Sequence, residues 1–483
     1  MNQSSLVQKV WNYATVLRNE GVHYGAYISQ ISFLLFLKMD DEAASQLGEP
    51  SGLPVDCRWN AIKDLQGEAL ATRYSQILEK LSRHDGLIGG LFLKAQNEIQ
   101  DPAKLRRLVT MIGEETWLGL DLDTKGTIYE GLLERNAAEV KSGAGQYFTP
   151  RTLIDAMTTV IDPKPNETVH DPACGTGGFL LAAWERMKKA GDRRAQLRAR
   201  GNLSGIDIVP EVVRLCAMNM YLHGAARDKD PIVRADALNK VIGHYDVVLT
   251  NPPFGEKQGY KIVGADGDVE TEREEYNRED FIKTTSNKQL NFLQHIMSIL
   301  NINGRCGVVL PDNVLFEGAG ADIRKRLLDN YDFHTLLRLP TGIFYKQGVK
   351  ANVLFFNRKP ASETPWTKVL WIYDFRTNQR FTLKERPMKR ADLDDFVACY
   401  RADNLAKRKE SERFHKYAYA ELINRDKLNL DIFWLKDDTR DDPDLLPPPD
   451  EIAAEIVESL ETAIERFRKV AISLQGANGS ATK

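Results

Sequence analysis

The run Asp246-Val247-Val248-Leu249-Thr250 ends in Asn251-Pro252-Pro253-Phe254, and that ending constrains the fold more than any other stretch. An apolar run of this kind reads as a buried parallel strand. Two consecutive prolines cannot continue it, because neither offers an N–H to the ladder. The strand therefore stops at Asn251. It presents an amide side chain, a proline carbonyl and an aromatic ring at the C-terminal edge of a sheet, where open α/β folds bind ligands. Two acceptors side by side suit an exocyclic amine. The Asn251 side-chain oxygen and the Pro252 backbone carbonyl can take its two hydrogens, which pulls the nitrogen toward a tetrahedral shape and frees its lone pair. Phe254 can stack on the base that carries the amine. The same four residues also read as a Pro-Pro turn followed by a core phenylalanine, and the tetrapeptide alone leaves both open.

A second motif adds weight to the first. Thr168-Val169-His170-Asp171 reads as a short strand, Pro172-Ala173-Cys174-Gly175-Thr176-Gly177-Gly178 as a glycine turn, and Phe179 to Trp184 as the opening of a helix. Strand, glycine turn and helix form the nucleotide-binding unit of a Rossmann-like sheet. The glycines admit close backbone approach, and the helix N-terminus favours an anionic group. The spacing differs from the dinucleotide G-x-G-x-x-G, which argues against NAD. Ser204-Gly205-Ile206-Asp207 reads as the end of the next strand, with an acid placed for ribose hydroxyls. Val233-Arg234-Ala235-Asp236 supplies a third strand end, suited to an adenine amino group. Each carboxylate alone also reads as a helix cap or a solvated turn residue. Three in order, ahead of the Asn-Pro-Pro-Phe strand, read together as a nucleoside pocket. Cys174 reads as a small residue packed under the ligand rather than as a nucleophile.

With these residues in place, the chain resembles the S-adenosylmethionine-dependent amino-methyltransferases. DNA adenine-N6 members of that group usually begin the tetrapeptide with Asn or Asp, and cytosine-N4 members with Ser. Gly145-Gln146-Tyr147-Phe148-Thr149-Pro150-Arg151 resembles the segment that closes over the methionine end of the cofactor. Gly126 to Leu133, Asn287 to His295, Leu339-Pro340-Thr341-Gly342-Ile343-Phe344, Trp11-Asn12 and Tyr24 to Asp41 narrow the resemblance to the modification subunit of type I restriction–modification systems. The resemblance implies a catalytic group of Asn251, Pro252, Pro253 and Phe254. It implies a cofactor site of Gln146, Tyr147, Phe148, Thr149, Pro150, Arg151, Asp171, Ala173, Gly175, Thr176, Gly177, Gly178, Asp207, Ile208, Asp236 and Ala237, with no metal. The implied partners are double-stranded DNA, a specificity subunit bound by two copies of this chain, and a restriction subunit with motor and endonuclease activity. Two other readings share part of the pattern. Methyltransferases acting on a protein glutamine or on ribosomal RNA share the Asn-Pro-Pro-aromatic group but generally lack the 146–151 block. A non-catalytic subunit that only binds cofactor would not need Asn251-Pro252-Pro253-Phe254 intact.

The 483 residues suffice for two or three domains. Residues 1–140 read as a helical N-terminal domain, with Leu105, Leu108, Met111 and Ile112 at helical spacing. Residues 141–436 read as an α/β methyltransferase domain. Within it, the runs Thr335 to Leu339 and Ala351 to Phe356 are expected as antiparallel final strands, and Leu290 to Ile302 as a helix. The charged stretch Gly255 to Thr285 reads as a solvated insertion or a lid. Residues 437–483 read as a proline-rich linker and a helix with the stripe Ile452, Ile456, Leu460, Ala463, Phe467, Val470 and Leu474, expected to dock on a partner.

A formal net charge of -3 gives no strong global field for DNA. The basic clusters Arg193-Arg194 with Arg198 and Arg200, Arg324-Lys325-Arg326, and Lys407-Arg408-Lys409 read as solvated helix faces or DNA contacts. The residues after Phe356 show no recognition domain, so base-specific readout is expected from another subunit. Five cysteines in no close pair, no signal peptide and no membrane-length apolar run place the chain in the cytoplasm.

Overall fold

The computed structural model describes residues 24–46, 50–117, 149–190, 192–227, 229–254, 259–263, 269–273, 276–344, 349–383 and 386–436, with Val457, Leu460 and Ile464. The expectations for Trp11-Asn12, Gly126 to Leu133, Gln146, Tyr147, Phe148, the 437–450 linker and most of the terminal helix lie outside them.

The N-terminal part is helical. It comprises α1 (Tyr24–Gln46), α2 (Gly67–Ser82), α3 (Gly86–Leu91) and α4 (Pro102–Gly113). Asp101 caps α4 by accepting from the Ala103 N–H at 2.8 Å, and Pro102 fills the first position, where no N–H is needed. Leu105, Leu108 and Ile112 are buried along one face, as their spacing predicts.

The second part alternates helices and strands. In order it holds α5 (Arg151–Ile161), β1 (Val169–Asp171), α6 (Gly178–Lys189), α7 (Arg193–Gly201), β2 (Leu203–Asp207), α8 (Pro210–Leu222), β3 (Ile232–Arg234) and β4 (Tyr245–Thr250). A hairpin of β5 (Gly259–Val263) and β6 (Val269–Arg273) follows, then α9 (Lys288–Ile299), β7 (Leu300–Pro311), α10 (Ala321–Asn330), β8 (Tyr331–Arg338), β9 (Ala351–Arg358), β10 (Val369–Asp374), α11 (Asp394–Tyr400) and β11 (Phe414–Ala418). The main sheet has nine strands in the order β11-β10-β8-β9-β7-β4-β1-β2-β3. β1 pairs in parallel with β2 on one side and with β4 on the other, so the winding reverses between β1 and β4. That switch point is where an open α/β sheet leaves a crevice for a ligand.

The helical part is tied to the sheet through α8. The Tyr221 hydroxyl donates to Asp40 Oδ1 at 2.9 Å and accepts from the Gly52 N–H at 2.7 Å. Burial pushes the Asp40 carboxyl above its usual range.

Three expectations are corrected, and the reading of the charged insertion gains a detail. β8 runs antiparallel to β9 but parallel to β10, so of the two final strands named from sequence only β9 is reversed within the sheet. The helix expected to Ile302 stops at Ile299, where Leu300 turns extended and pairs with Tyr245. Part of the charged insertion forms the β5–β6 hairpin. Two of the basic clusters contribute a buried arginine. Arg324 is 1% exposed and donates to the carbonyls of Val314, Glu317, Lys427 and Leu428. Arg408 is buried and donates to the carbonyls of Tyr400 and His334. A guanidinium with five fixed donors can satisfy several orphan carbonyls at once, which sequence clustering cannot foresee. The third cluster lies on α7, which runs into the start of β2 at the edge opposite Asn251.

Candidate active site

The ends of β1, β2, β3 and β4 lie along one edge of the sheet, and each carries part of the site. After β1 the chain makes a tight turn. Ala173 N–H returns to Asp171 Oδ1 at 3.0 Å, Cys174 N–H bonds the Ile206 carbonyl at 2.9 Å, and Gly177 N–H bonds the Cys174 carbonyl at 2.8 Å. Gly175 and Gly177 adopt φ of +53° and +88°, where a side chain is strained. A Cβ on Gly177 would also come within 2.8 Å of Cys216 Sγ. Gly178 then opens α6, whose first N–H groups are unsatisfied by the helix itself. Cys174 is buried beneath the turn, as a packing residue would be.

Asp171 is 2% exposed, and burial pushes its carboxyl up to about 7, with the neighbouring Asp207 adding to the rise and the Ala173 N–H opposing it. Asp207 ends β2 and accepts from the Gly175 N–H at 3.2 Å and the Val209 N–H at 2.9 Å. Burial raises its carboxyl as well. Beside it, the apolar Ile208 is 59% exposed at the mouth of the crevice. Asp236 lies just past β3 and is held at both oxygens: Leu238 N–H donates to Oδ1 at 2.9 Å and the Tyr276 hydroxyl to Oδ2 at 2.8 Å. Ala237 is buried with Ile206, Leu238 and Phe292, and Ala173, Tyr276 and Phe281 pack against this small cluster. Carboxylates thus stand at the ends of β1 and β2 and just past β3, along one edge of the sheet and next to a small apolar cluster. The Asp207→Ala variant should bind S-adenosylmethionine more weakly by about 1.5–3 kcal/mol, the scale for a lost charged acceptor. Unchanged affinity by calorimetry would give Asp207 a purely structural place in the turn.

Asn251 follows β4 and is 9% exposed. Its Nδ2 donates to Thr149 Oγ1 at 2.8 Å. Its Oδ1 is buried and has no hydrogen-bond partner among the described residues. An amide oxygen in that state is costly unless a donor arrives. Pro252 is buried beside it and Pro253 is half-buried. Phe254 is 5% exposed and meets Phe344 edge-on, with ring centroids 5.8 Å apart. The ring is therefore packed in the hydrophobic core, the second of the two readings that the sequence leaves open.

Phe344, Tyr276 and Phe292 were not singled out by sequence reasoning. Phe344 does sit in the Leu339–Phe344 stretch. Gly342 shapes that stretch, with φ +77° and a would-be Cβ 2.0 Å from the Phe381 carbonyl oxygen. Tyr276 is an aromatic residue in a charged stretch, which carries no periodic signal. Of the 146–151 block, Thr149, Pro150 and Arg151 are described. Pro150 precedes α5, and Arg151 packs against the start of α6, where a Cβ on Gly178 would lie 3.0 Å from its Nη1. Thr176 is buried, and its carbonyl accepts from Asn219 Nδ2 at 3.1 Å.

Residues 120–440 match the family described as N-6 DNA Methylase, and residues 6–112 match the HsdM N-terminal domain. The chain is 36% identical to the type I restriction enzyme EcoKI methylase subunit of Escherichia coli, over 97% of this chain and 94% of that one. Its fold is similar to the crystal structure of the EcoKI M protein, with a TM-score of 0.53 at 32% identity, covering 97% and 96% of the two chains. It is also similar to a chain from structural work on complex assembly and conformational transition of the type I R-M system, with a TM-score of 0.65 at 26% identity over 99% of both.

Proposed function

This chain belongs to the N-6 DNA methylase family as a type I restriction enzyme methylase subunit, and on that premise we propose that it methylates N6 of an adenine rotated out of duplex DNA, at sites chosen by a separate specificity subunit. The observation that carries the reading is the buried Oδ1 of Asn251 at the switch point of the sheet, without a partner among the described residues. A base inside a duplex cannot reach a pocket at a sheet edge, so it must leave the stack. Asn251 Oδ1 and the Pro252 carbonyl then accept the two amino hydrogens. Phe254, backed edge-on by Phe344, would stack on the base. Orientation and fixed dipoles supply the rate gain, and no early general base is needed, because the nitrogen turns strongly acidic once alkylated.

The crevice fits S-adenosylmethionine. The left-handed turn at Gly175 and Gly177 leaves the backbone open, and Gly178 heads a helix N-terminus suited to a carboxylate. Asp207 would take ribose hydroxyls, Asp236 an adenine amino group, and exposed Ile208 a face of the ring. A cation approaching Asp171 would oppose the rise that burial causes in its carboxyl. When bound, S-adenosylmethionine supplies a sulfonium methyl group open to attack by a nitrogen lone pair.

The near-neutral charge supports delegation of sequence reading to the specificity subunit. Val457, Leu460 and Ile464 also support it, being helical with exposures of 53%, 56% and 50%. They fall three and four residues apart on one helix face and offer an apolar strip to a partner. We assign two copies of this chain to each specificity subunit, with a restriction subunit joining them. The test is tritium transfer from S-adenosylmethionine to unmethylated phage DNA, by the chain alone and with its specificity partner, followed by nucleoside analysis. Label in N6-methyladenine, dependent on the partner, is the expected result. Label in protein, RNA or cytosine would overturn the substrate. Tight, salt-resistant, site-specific binding by the chain alone would overturn the division of labour.

A further inference from the structure

We infer that Thr149 is a positioning residue of the methyl-transfer site, the clamp that fixes the Asn251 amide plane so that its oxygen faces the target amine. The inference rests on the proposed role of Asn251 and adds to it a second residue from a distant part of the chain. A side-chain amide turns about a soft bond with a broad, nearly two-fold profile. Left alone, Asn251 would spread its oxygen over many directions, and a misplaced acceptor loses rate steeply. The only hydrogen-bond partner the described residues give its Nδ2 is Thr149 Oγ1, at 2.8 Å. A hydroxyl both donates and accepts. It therefore leaves two in-plane states, amide nitrogen toward Thr149 or amide oxygen toward Thr149. An incoming amine brings only donors to this point, so it selects the first state, the one the structure holds. In that state the buried Oδ1 is the one polar atom of the side chain without a partner, and the amine completes it.

Thr149 is itself rigidly placed. It precedes Pro150, the N-cap of α5, whose carbonyl accepts from the Leu153 N–H at 2.9 Å and the Ile154 N–H at 3.0 Å. Leu153, Ile154, Ala156 and Met157 anchor that helix in the core. The clamp is thus built on a buried helix and meets a residue 102 positions away at the end of β4. Thr149 falls in the segment that the sequence assigns to the cofactor. The bond to Asn251 gives it a base-side role that cofactor contact alone does not require. The same logic accommodates an acid at the Asn251 position, since the hydroxyl would then donate instead of accept.

The experiment uses the full chain assembled with its specificity partner and long unmethylated phage DNA. Single-turnover methylation is measured at saturating S-adenosylmethionine, with cofactor affinity measured separately by calorimetry. Thr149→Val keeps the shape and removes the hydroxyl; Thr149→Ser keeps the hydroxyl. Thr149→Val should slow the saturated single turnover by at least ~10-fold and toward ~100-fold, the cost of a misplaced reacting group. Thr149→Ser should restore most of the rate, which separates the hydroxyl from mere packing. A Thr149→Val enzyme that turns over normally once cofactor saturates would overturn the inference and leave Thr149 as a cofactor contact only. A Thr149→Ser enzyme as slow as Thr149→Val would overturn it too. Asn251→Ala run alongside tells the two levels apart: if it stays active, the role of Asn251 itself fails. If it is dead while Thr149→Val is normal, only the clamp fails.

Discussion

Replacing Asn251 with alanine should abolish methyl transfer while leaving S-adenosylmethionine binding nearly intact. The amide follows β4 and bonds Thr149, and among the described residues it forms no hydrogen bond with Asp171, Asp207 or Asp236, the acids at or just past the ends of β1, β2 and β3. Its free oxygen is the acceptor that would hold the target amine. Losing one oriented polar group that acts on developing charge commonly costs ~100-fold or more. The loss should appear in the single-turnover rate and not in cofactor affinity. Retention of more than about a tenth of the rate would be too small an effect for such a group, and would hand the amine to the Pro252 carbonyl alone. Asn251→Asp is the informative companion. A carboxylate still offers an acceptor, with Thr149 as donor, so it should keep more activity than alanine does.

Most of the strand-and-turn architecture around the candidate site is legible in the sequence because short-range chemistry dictates it. Two prolines end β4 wherever they occur, and glycines at left-handed φ mark the turn after β1. Carboxylates at the ends of the neighbouring strands then fall on the same edge by topology alone. The parts that stayed hidden depend on contacts remote in sequence. Tyr276 reaches Asp236 across 40 residues, and Thr149 reaches Asn251 across 102. Neither pair leaves a periodic trace. β11 was missed because Phe414-His415-Lys416-Tyr417-Ala418 is a short, mixed edge strand whose pairing partner, β10, supplies the order. Arg324 and Arg408 read as surface charge from sequence because each adjoins other basic residues. Their burial follows from orphan carbonyls that only the tertiary fold brings together.

A buried arginine also sets the largest expected loss of stability, in the Arg338→Leu variant. Arg338 ends β8 and is 0% exposed, as is Asp374 at the end of β10. Its Nη1 lies 3.1 Å from Asp374 Oδ2 and 3.3 Å from the Ile432 carbonyl, and its Nη2 lies 3.2 Å from Asp431 Oδ1. The Phe433 ring covers the guanidinium at 3.9 Å. One side chain thereby joins two strand ends to the 429–436 segment, from which the chain leaves toward its terminal helix. Leucine fills the space but strands the Asp374 carboxylate, and breaking a buried pair from one side costs about 3–5 kcal/mol. Urea denaturation of the full chain should register that loss as a lower midpoint at unchanged slope. Asp374 keeps three other donors, the N–H groups of Arg376 and Thr377 and the Thr377 hydroxyl. The strand end should therefore hold its shape, and the stranded charge itself should dominate the cost. Adding Asp374→Asn removes that charge. The amide oxygen still accepts both N–H groups, and the Thr377 hydroxyl can turn to accept from the new NH2, so the double variant should regain part of the loss. If Arg338→Leu alone stays within about 1 kcal/mol of the parent, the pair contributes no more than an exposed one, and the 429–436 segment must be held by its apolar contacts instead.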